Sequence, residues 1–172
     1  METLPHQLLD VIKTHPDIEA AVWADSQQQV QWWPLLPVQD PLHRLGLTTL
    51  GQWVTETRMG LYELQSSTSF VRVFPLLEQP YTDVVQQLFQ RSPAEEWSDV
   101  LVSHFPSVEV VRAGLTQGSS YWASLAFEWF DELSLPQQQA LTPTLEEVAQ
   151  ARWAGQPLRH RAKQCLKQLR KM

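Results

Sequence analysis

The chain is short of the residues that most site chemistries need. One cysteine, Cys165, in 172 residues excludes an intramolecular disulfide framework and any cysteine-based zinc site. Six glycines are too few for most phosphate-cradling loops. There is no P-loop, no G-x-G-x-x-G fingerprint, no H-E-x-x-H and no G-x-S-x-G. No run approaches the ~18 apolar residues of a spanning helix, so no membrane association is expected. The segment Met1-Glu2-Thr3-Leu4-Pro5 has an acid where a secretory signal carries a base. Together with a single free thiol this leads to a cytoplasmic expectation. The five histidines, His6, His15, His43, His104 and His160, share no i, i+3 or i, i+4 spacing, so no helix face offers a ligand pair. No cofactor or metal is expected.

Hydrophobic residues make up 43% and charged residues 19%, an ordinary globular balance. At this length one domain with a substantial core is expected. Twelve prolines mostly sit where a helix begins or has just ended, which implies many short helices in series.

The C-terminal half is the more readable. Ser92-Pro93-Ala94-Glu95 is a capping-box start, followed by Trp97, Val100 and Leu101 on one face. Ser107 to Leu115 fits a helix or a strand. Ser119 can cap a helix whose Trp122, Leu125, Ala126, Trp129, Phe130 and Leu133 form an unbroken helical stripe. Pro136 follows it, and Gln137, Gln138 and Gln139 read as a polar connector. Thr144-Leu145-Glu146-Glu147 is a second capping box, and Gly155 and Pro157 close that helix. The last helix starts near Leu158, with Leu158, Ala162, Cys165, Leu166 and Leu169 inward.

In the N-terminal half, Leu4, Leu8, Leu9 and Ile12 fit a first helix, and Asp17 can cap a second over Ile18 to Ala24. Gln27 to Gln29 reads as a loop and Val30 to Pro34 as extended. Asp40-Pro41 starts a further helix with Leu42, Leu45, Leu50, Trp53 and Val54 inward. Gly46 and Gly51 interrupt that pattern, each at a cost of about 1 kcal/mol. Phe70 to Phe74 looks like a strand stopped by Pro75, and Thr82 can cap a helix carrying Val85, Leu88 and Phe89. The fold expected is all-α, an array of short antiparallel helices, with room for extended segments or a short hairpin between residues 25 and 80. It would form one domain over 1–172, less regular over 1–90 and repeat-like over 91–172.

The segment from Leu158 to Leu169 resembles the second helix of a HEAT-type repeat. Leu158, Arg159, Ala162, Leu166 and Leu169 occupy the apolar, basic, alanine and leucine positions. Thr144 to Trp153 would be the first helix of that unit. Ser107 to Leu115 with Tyr121 to Leu133 would form the preceding pair. The resemblance covers residues ~107–170 and implies a solenoid-like end of stacked helix pairs.

Charge is unevenly placed. Formal net charge is −6. Residues 151–172 hold seven basic residues and no acid, which leaves 6 basic against 19 acidic residues in 1–150. An acidic body of that kind repels nucleic acid and attracts basic partners. Glu128, Asp131 and Glu132 cluster at one helix end, either as an acidic patch for a basic partner or as a helix end bridged to the basic last helix. Adjacent Trp32 and Trp33 alternate sides if extended. Either one of them is exposed beside Pro34-Leu35-Leu36-Pro37 as a binding hot spot, or both rings clamp a loop over the core. Cys165, on an apolar stripe, reads as a core thiol.

These observations lead to a non-catalytic protein-interaction module for a basic partner, of adaptor or inhibitor/immunity type. The site expected comprises Trp32, Trp33, Glu128, Asp131 and Glu132. The alternative is nucleic-acid binding through the basic helix, by Arg159, Arg161, Lys163 and Lys167. A third possibility is an enzyme whose site draws on Glu63, His43, His104 or the 128–132 carboxylates.

Overall fold

The computed structural model describes residues 4–39 and 42–171. The chain divides into two compact units, Met1–Pro106 and Ser107–Met172. The first unit contains a five-stranded antiparallel sheet, so the fold is mixed α/β, and the all-α expectation is corrected.

In the first unit, helix α1 (His6–Lys13) is followed by strands β1 (Glu19–Val22), β2 (Gln29–Pro37), β3 (Arg44–Thr48), β4 (Trp53–Thr57) and β5 (Gly60–Glu63). They pair in chain order as a meander. The sheet curls far enough for its edges to meet, forming a half-barrel. The Ala24 amide donates to Leu61 O at 3.0 Å, and Trp23 bridges Leu61 in parallel. At this seam a β-carbon on Gly60 would lie 2.5 Å from Val22 O. Helices α2 (Ser67–Phe70), a 3₁₀ helix over Val71–Glu78, α3 (Tyr81–Arg91) and α4 (Glu95–His104) complete the unit.

Several sequence expectations fail in this unit, among them the cap at Thr82, which lies inside α3 after Pro80. Ile18 to Ala24 contains β1 rather than a helix, because pairing with β2 from Glu19↔Trp32 to Val22↔Gln29 outweighs the helix propensity of Glu-Ala-Ala. The helix expected through Leu42 to Val54 is instead the β3–β4 hairpin; its expected Asp40-Pro41 start lies outside the described residues. Leu42 and Leu50, counted as inward, are 61% and 72% exposed. Phe70 to Phe74 is helical rather than a strand, because a Ser66–Ser69 capping box starts a helical turn just ahead of it.

Alternation along the paired strands gives the sheet two faces. One carries Trp33, Leu45, Leu47 and Trp53 toward helices. Trp53 meets Phe105 edge-on at 5.7 Å, Trp33 lies 4.6 Å from His15, and α3 packs on β2. The other is the inner face of the curl, where buried Trp32, Val54 and Leu61 pack with Ala21, Trp23 and Val30. Trp32 and Trp33 point in opposite directions, as extended chain requires, yet both are buried. The exposed tryptophan expected for a hot spot is therefore absent, because each face of β2 has its own core.

The second unit contains α5 (Ser107–Thr116), α6 (Ser120–Glu132), α7 (Leu135–Ala140), α8 (Thr142–Gln150) and α9 (Gln156–Leu169). Helix α5 packs on α6 and on α8, and α8 packs on α9. Ser119 caps α6, accepting from the Trp122 amide, and Ala126, Phe127, Trp129 and Phe130 are buried along it. Gln137 to Gln139 is helical rather than a connector, since Ser134 and Gln137 form a capping box that opens α7. Thr144 is not a cap; it lies buried inside α8, where its hydroxyl accepts from Arg112 Nη1 at 3.1 Å. Helix α4 likewise begins after Ala94, not Ser92.

Candidate functional site

The half-barrel places an ion-pair network and two adjoining clefts on the first unit. The network centres on Arg44, at the start of β3. Its Nη1 and Nη2 donate to the two carboxylate oxygens of Glu19 on β1 at 2.8 and 2.7 Å, and its Nε donates to Glu56 on β4 at 2.6 Å. The guanidinium sits 5.2 Å from the Trp32 ring centroid. This bidentate fork ties three strands together over the apolar inner face.

Hydrogen bonds from Arg44 hold the Glu19 carboxyl below the usual glutamate range, against the opposing effect of partial burial. Bonding to Glu19 and then Glu56 holds Arg44 above its ordinary value. A carboxyl with a depressed folded pKa stabilises the fold above its unfolded value and loses that contribution as pH falls through the folded one. Stability should therefore decline on acidification below about 4.5, the ordinary glutamate value. In Glu19→Gln that part of the decline should disappear. Urea midpoints of both proteins across the acid range check this; parallel slopes would contradict it.

The two clefts flank the β3–β4 turn. A cleft of about 430 Å³ has Leu4, Leu9, Trp53 and Leu64 as its apolar lining and His6, Gln52, Glu63 and His104 as polar lining. A neighbouring one of about 620 Å³ is lined by Trp23, Asp25, Val30, Leu61, Tyr62 and Glu63, among others. Leu50, Gln52 and Glu63 line both. The turn between them is fixed by Thr48, whose buried hydroxyl accepts from the Leu50 and Gln52 amides at 3.3 and 3.2 Å. Gly51 has φ +81°, a conformation that disfavours any side chain, and a β-carbon there would lie 3.0 Å from Leu9 Cδ2. The turn thus holds Leu50 at an exposed tip.

The sequence-predicted residues are scattered. Trp32 and Trp33 are core. Asp131 on α6 pairs with Arg161 on α9 at 2.7 Å, while Glu128 and Glu132 are exposed. Of the basic helix, Arg161 is thus engaged, Arg159 is half-buried, and Lys163 and Lys167 are exposed. Cys165 is 5% exposed, and burial pushes its thiol up, so it is a poor thiolate source. Of the residues weighed for catalysis, Glu63 and His104 line the same cleft but share no hydrogen bond; His104 Nδ1 lies 2.8 Å from Val100 O, as donor to that carbonyl. His43 and the 128–132 carboxylates line neither cleft. Among the described residues no group of three or more His, Cys, Asp or Glu is placed to hold a metal, and no helix is long and apolar enough to cross a membrane.

Sequence reasoning missed Arg44, Glu19 and Leu50. The signal available was Gly51 beside Thr48-Thr49, a turn signature read as a helix interruption. Compared with protein-family models, curated proteins and solved structures, the chain finds no match.

Proposed function

We propose that this chain is a non-catalytic protein-interaction module, of adaptor or inhibitor type, whose partner is a basic protein. The carrying observation is the charge of the first unit. Residues 1–106 contain 13 acids against 5 bases. Lys13 and Arg44 are already paired with acids, and Arg72 lies over the Tyr62 ring at 4.1 Å. Exposed carboxylates remain on α3 and α4, among them Asp83, Glu95, Glu96 and Asp99. A field of one sign steers an oppositely charged partner and speeds encounter at low ionic strength. In the second unit α5 packs on α6 and α8, and α8 on α9, and stacked helices of that kind present extended binding surfaces.

Nucleic-acid binding through α9 is the alternative. In its favour, Arg159, Lys163 and Lys167 recur at i, i+4 spacing, and no ion pair engages them among the described residues. The experiment is affinity capture from the native host at low and at moderate salt, with identification of what elutes. One stoichiometric basic protein, lost as salt rises, is the expected result. RNA or DNA in the eluate, abolished by replacing Arg159, Arg161, Lys163 and Lys167 with glutamine, would transfer the function to α9. An empty eluate at both salts would contradict both.

A further inference from the structure

We propose that the paired clefts around the β3–β4 turn receive a lysine or arginine side chain of the partner, flanked there by an apolar residue, with Glu63 as the counter-ion and Leu50 as the apolar contact. The proposal rests on the basic-partner function above and gives it a location. Three features support it.

The first is an unmatched carboxylate. Glu63 ends β5, is half-buried, and lines both clefts. Among the described residues it has no ion pair and no side-chain hydrogen bond. Elsewhere on the same face of the sheet, Glu19 and Glu56 both have Arg44. A partly desolvated carboxylate without a cation gains more from an incoming one than a fully solvated carboxylate does.

The second is charge complementarity across the whole lining. Asp25 and Glu63 line the larger cleft, and neither cleft has a lysine or arginine in its wall. An entering cation meets these carboxylates and half-buried Trp23, whose ring also attracts a guanidinium or ammonium; the Tyr62 ring is already covered by Arg72.

The third is preorganisation. Leu50, 72% exposed, sits on a turn pinned by the Thr48 hydroxyl and shaped by Gly51. An apolar tip held rigid in the free protein needs no ordering on binding, which favours contact with an apolar neighbour of the incoming cation. A lining that includes both apolar and acceptor groups suits a segment carrying a basic residue beside apolar ones.

The test uses the full chain and three fixed-centre peptide libraries. Nine-residue peptides carry a central arginine, lysine or glutamine with randomised flanks, and affinities are measured at low salt. Wild type should prefer the arginine- and lysine-centred pools over the glutamine-centred pool by roughly tenfold, about the size of one charge-assisted contact. Glu63→Gln should erase that preference. Leu50→Ser should weaken binding of the basic pools while keeping the preference. A triple change of Asp83, Glu95 and Glu96 to amides should narrow the preference far less than Glu63→Gln does. Equal binding of the three pools, or no binding of any, overturns the proposal. A preference that survives Glu63→Gln and vanishes in the triple variant also overturns it; the basic-partner function then stands without this site. Loss of that function is read separately, from the empty host capture described above.

Discussion

Replacing Gly46 with alanine should lower the stability of the sheet-bearing unit by about 3 kcal/mol, the upper part of the range for overpacking. Gly46 lies on β3 between Pro34 of β2 and Val54 of β4, on the inner face of the curl. A β-carbon there would run into the Trp33 carbonyl oxygen and would lie 2.9 Å from both Pro34 Cα and Trp32 Cζ3. Two of these three obstacles are backbone. They belong to the stretch where the β2–β3 register shifts between Pro34 and Leu36, so neither can retreat without breaking that bulge. The third is a ring that is 0% exposed. Gly155→Ala is the matched control, since its β-carbon would meet only Pro157 Cδ at 3.7 Å. Urea midpoints followed by near-UV circular dichroism should fall sharply for Gly46→Ala and little for Gly155→Ala. Equal midpoints would mean that the inner face is looser than described.

Trp32→Ala should cost about 3–5 kcal/mol, the range for emptying a large aromatic from a core. The inner face is small, and Trp32 is its largest member beside Val54 and Leu61. Truncation also removes the ring beneath Arg44. The conservative changes separate packing from hydrogen bonding. Trp32 Nε1 is buried with no acceptor, so Trp32→Phe gives up indole volume but no hydrogen bond. Trp53 Nε1 donates to His104 O at 2.8 Å, and Trp53→Phe leaves that part-buried carbonyl without its donor, a further cost of about 1–3 kcal/mol. Trp53→Phe should therefore be the more destabilising of the two phenylalanine variants, although Trp53 is the slightly more exposed ring. Denaturation of both variants checks the order; the reverse order would show that the indole N–H of Trp32 has a partner in solution.

The second unit was largely legible because its helices bury one stripe and expose the rest. Ser119 and the Trp122 to Leu133 periodicity place α6, whereas Gly155 and Pro157, expected to close the preceding helix, open α9 instead, α8 having ended at Gln150. The missed helix, α7, carried its signal in Ser134-x-x-Gln137, but Pro136 was taken as a stop rather than as a first-turn proline. The sheet was not legible for a physical reason. Alternation marks a strand only when one face meets water, and here both faces are covered. Leu45, Gly46, Leu47 and Thr48 are consecutive and all buried, so β3 shows no period of two. The spacing of Leu42, Leu45, Leu50, Trp53 and Val54 then imitates a helix by chance. Of the candidate site, Glu63 was legible as a residue of interest and Leu50 was not, because exposure of a leucine at a turn tip has no sequence pattern of its own.

Charge partition ties the fold to the proposed function. The acids concentrate in the unit whose sheet also supplies the clefts, while α9 gathers cations on the other unit. In the proposed complex a basic protein docks on the first unit. Hydrogen–deuterium exchange of the full chain, alone and with the captured partner, tests it directly. Exchange should slow at the Leu50 to Gln52 turn and in β5 around Glu63, with α9 unchanged. Slowing confined to α9, with the β3–β4 turn and β5 exchanging as in the free protein, would place the partner on the second unit instead and rule out docking at the clefts.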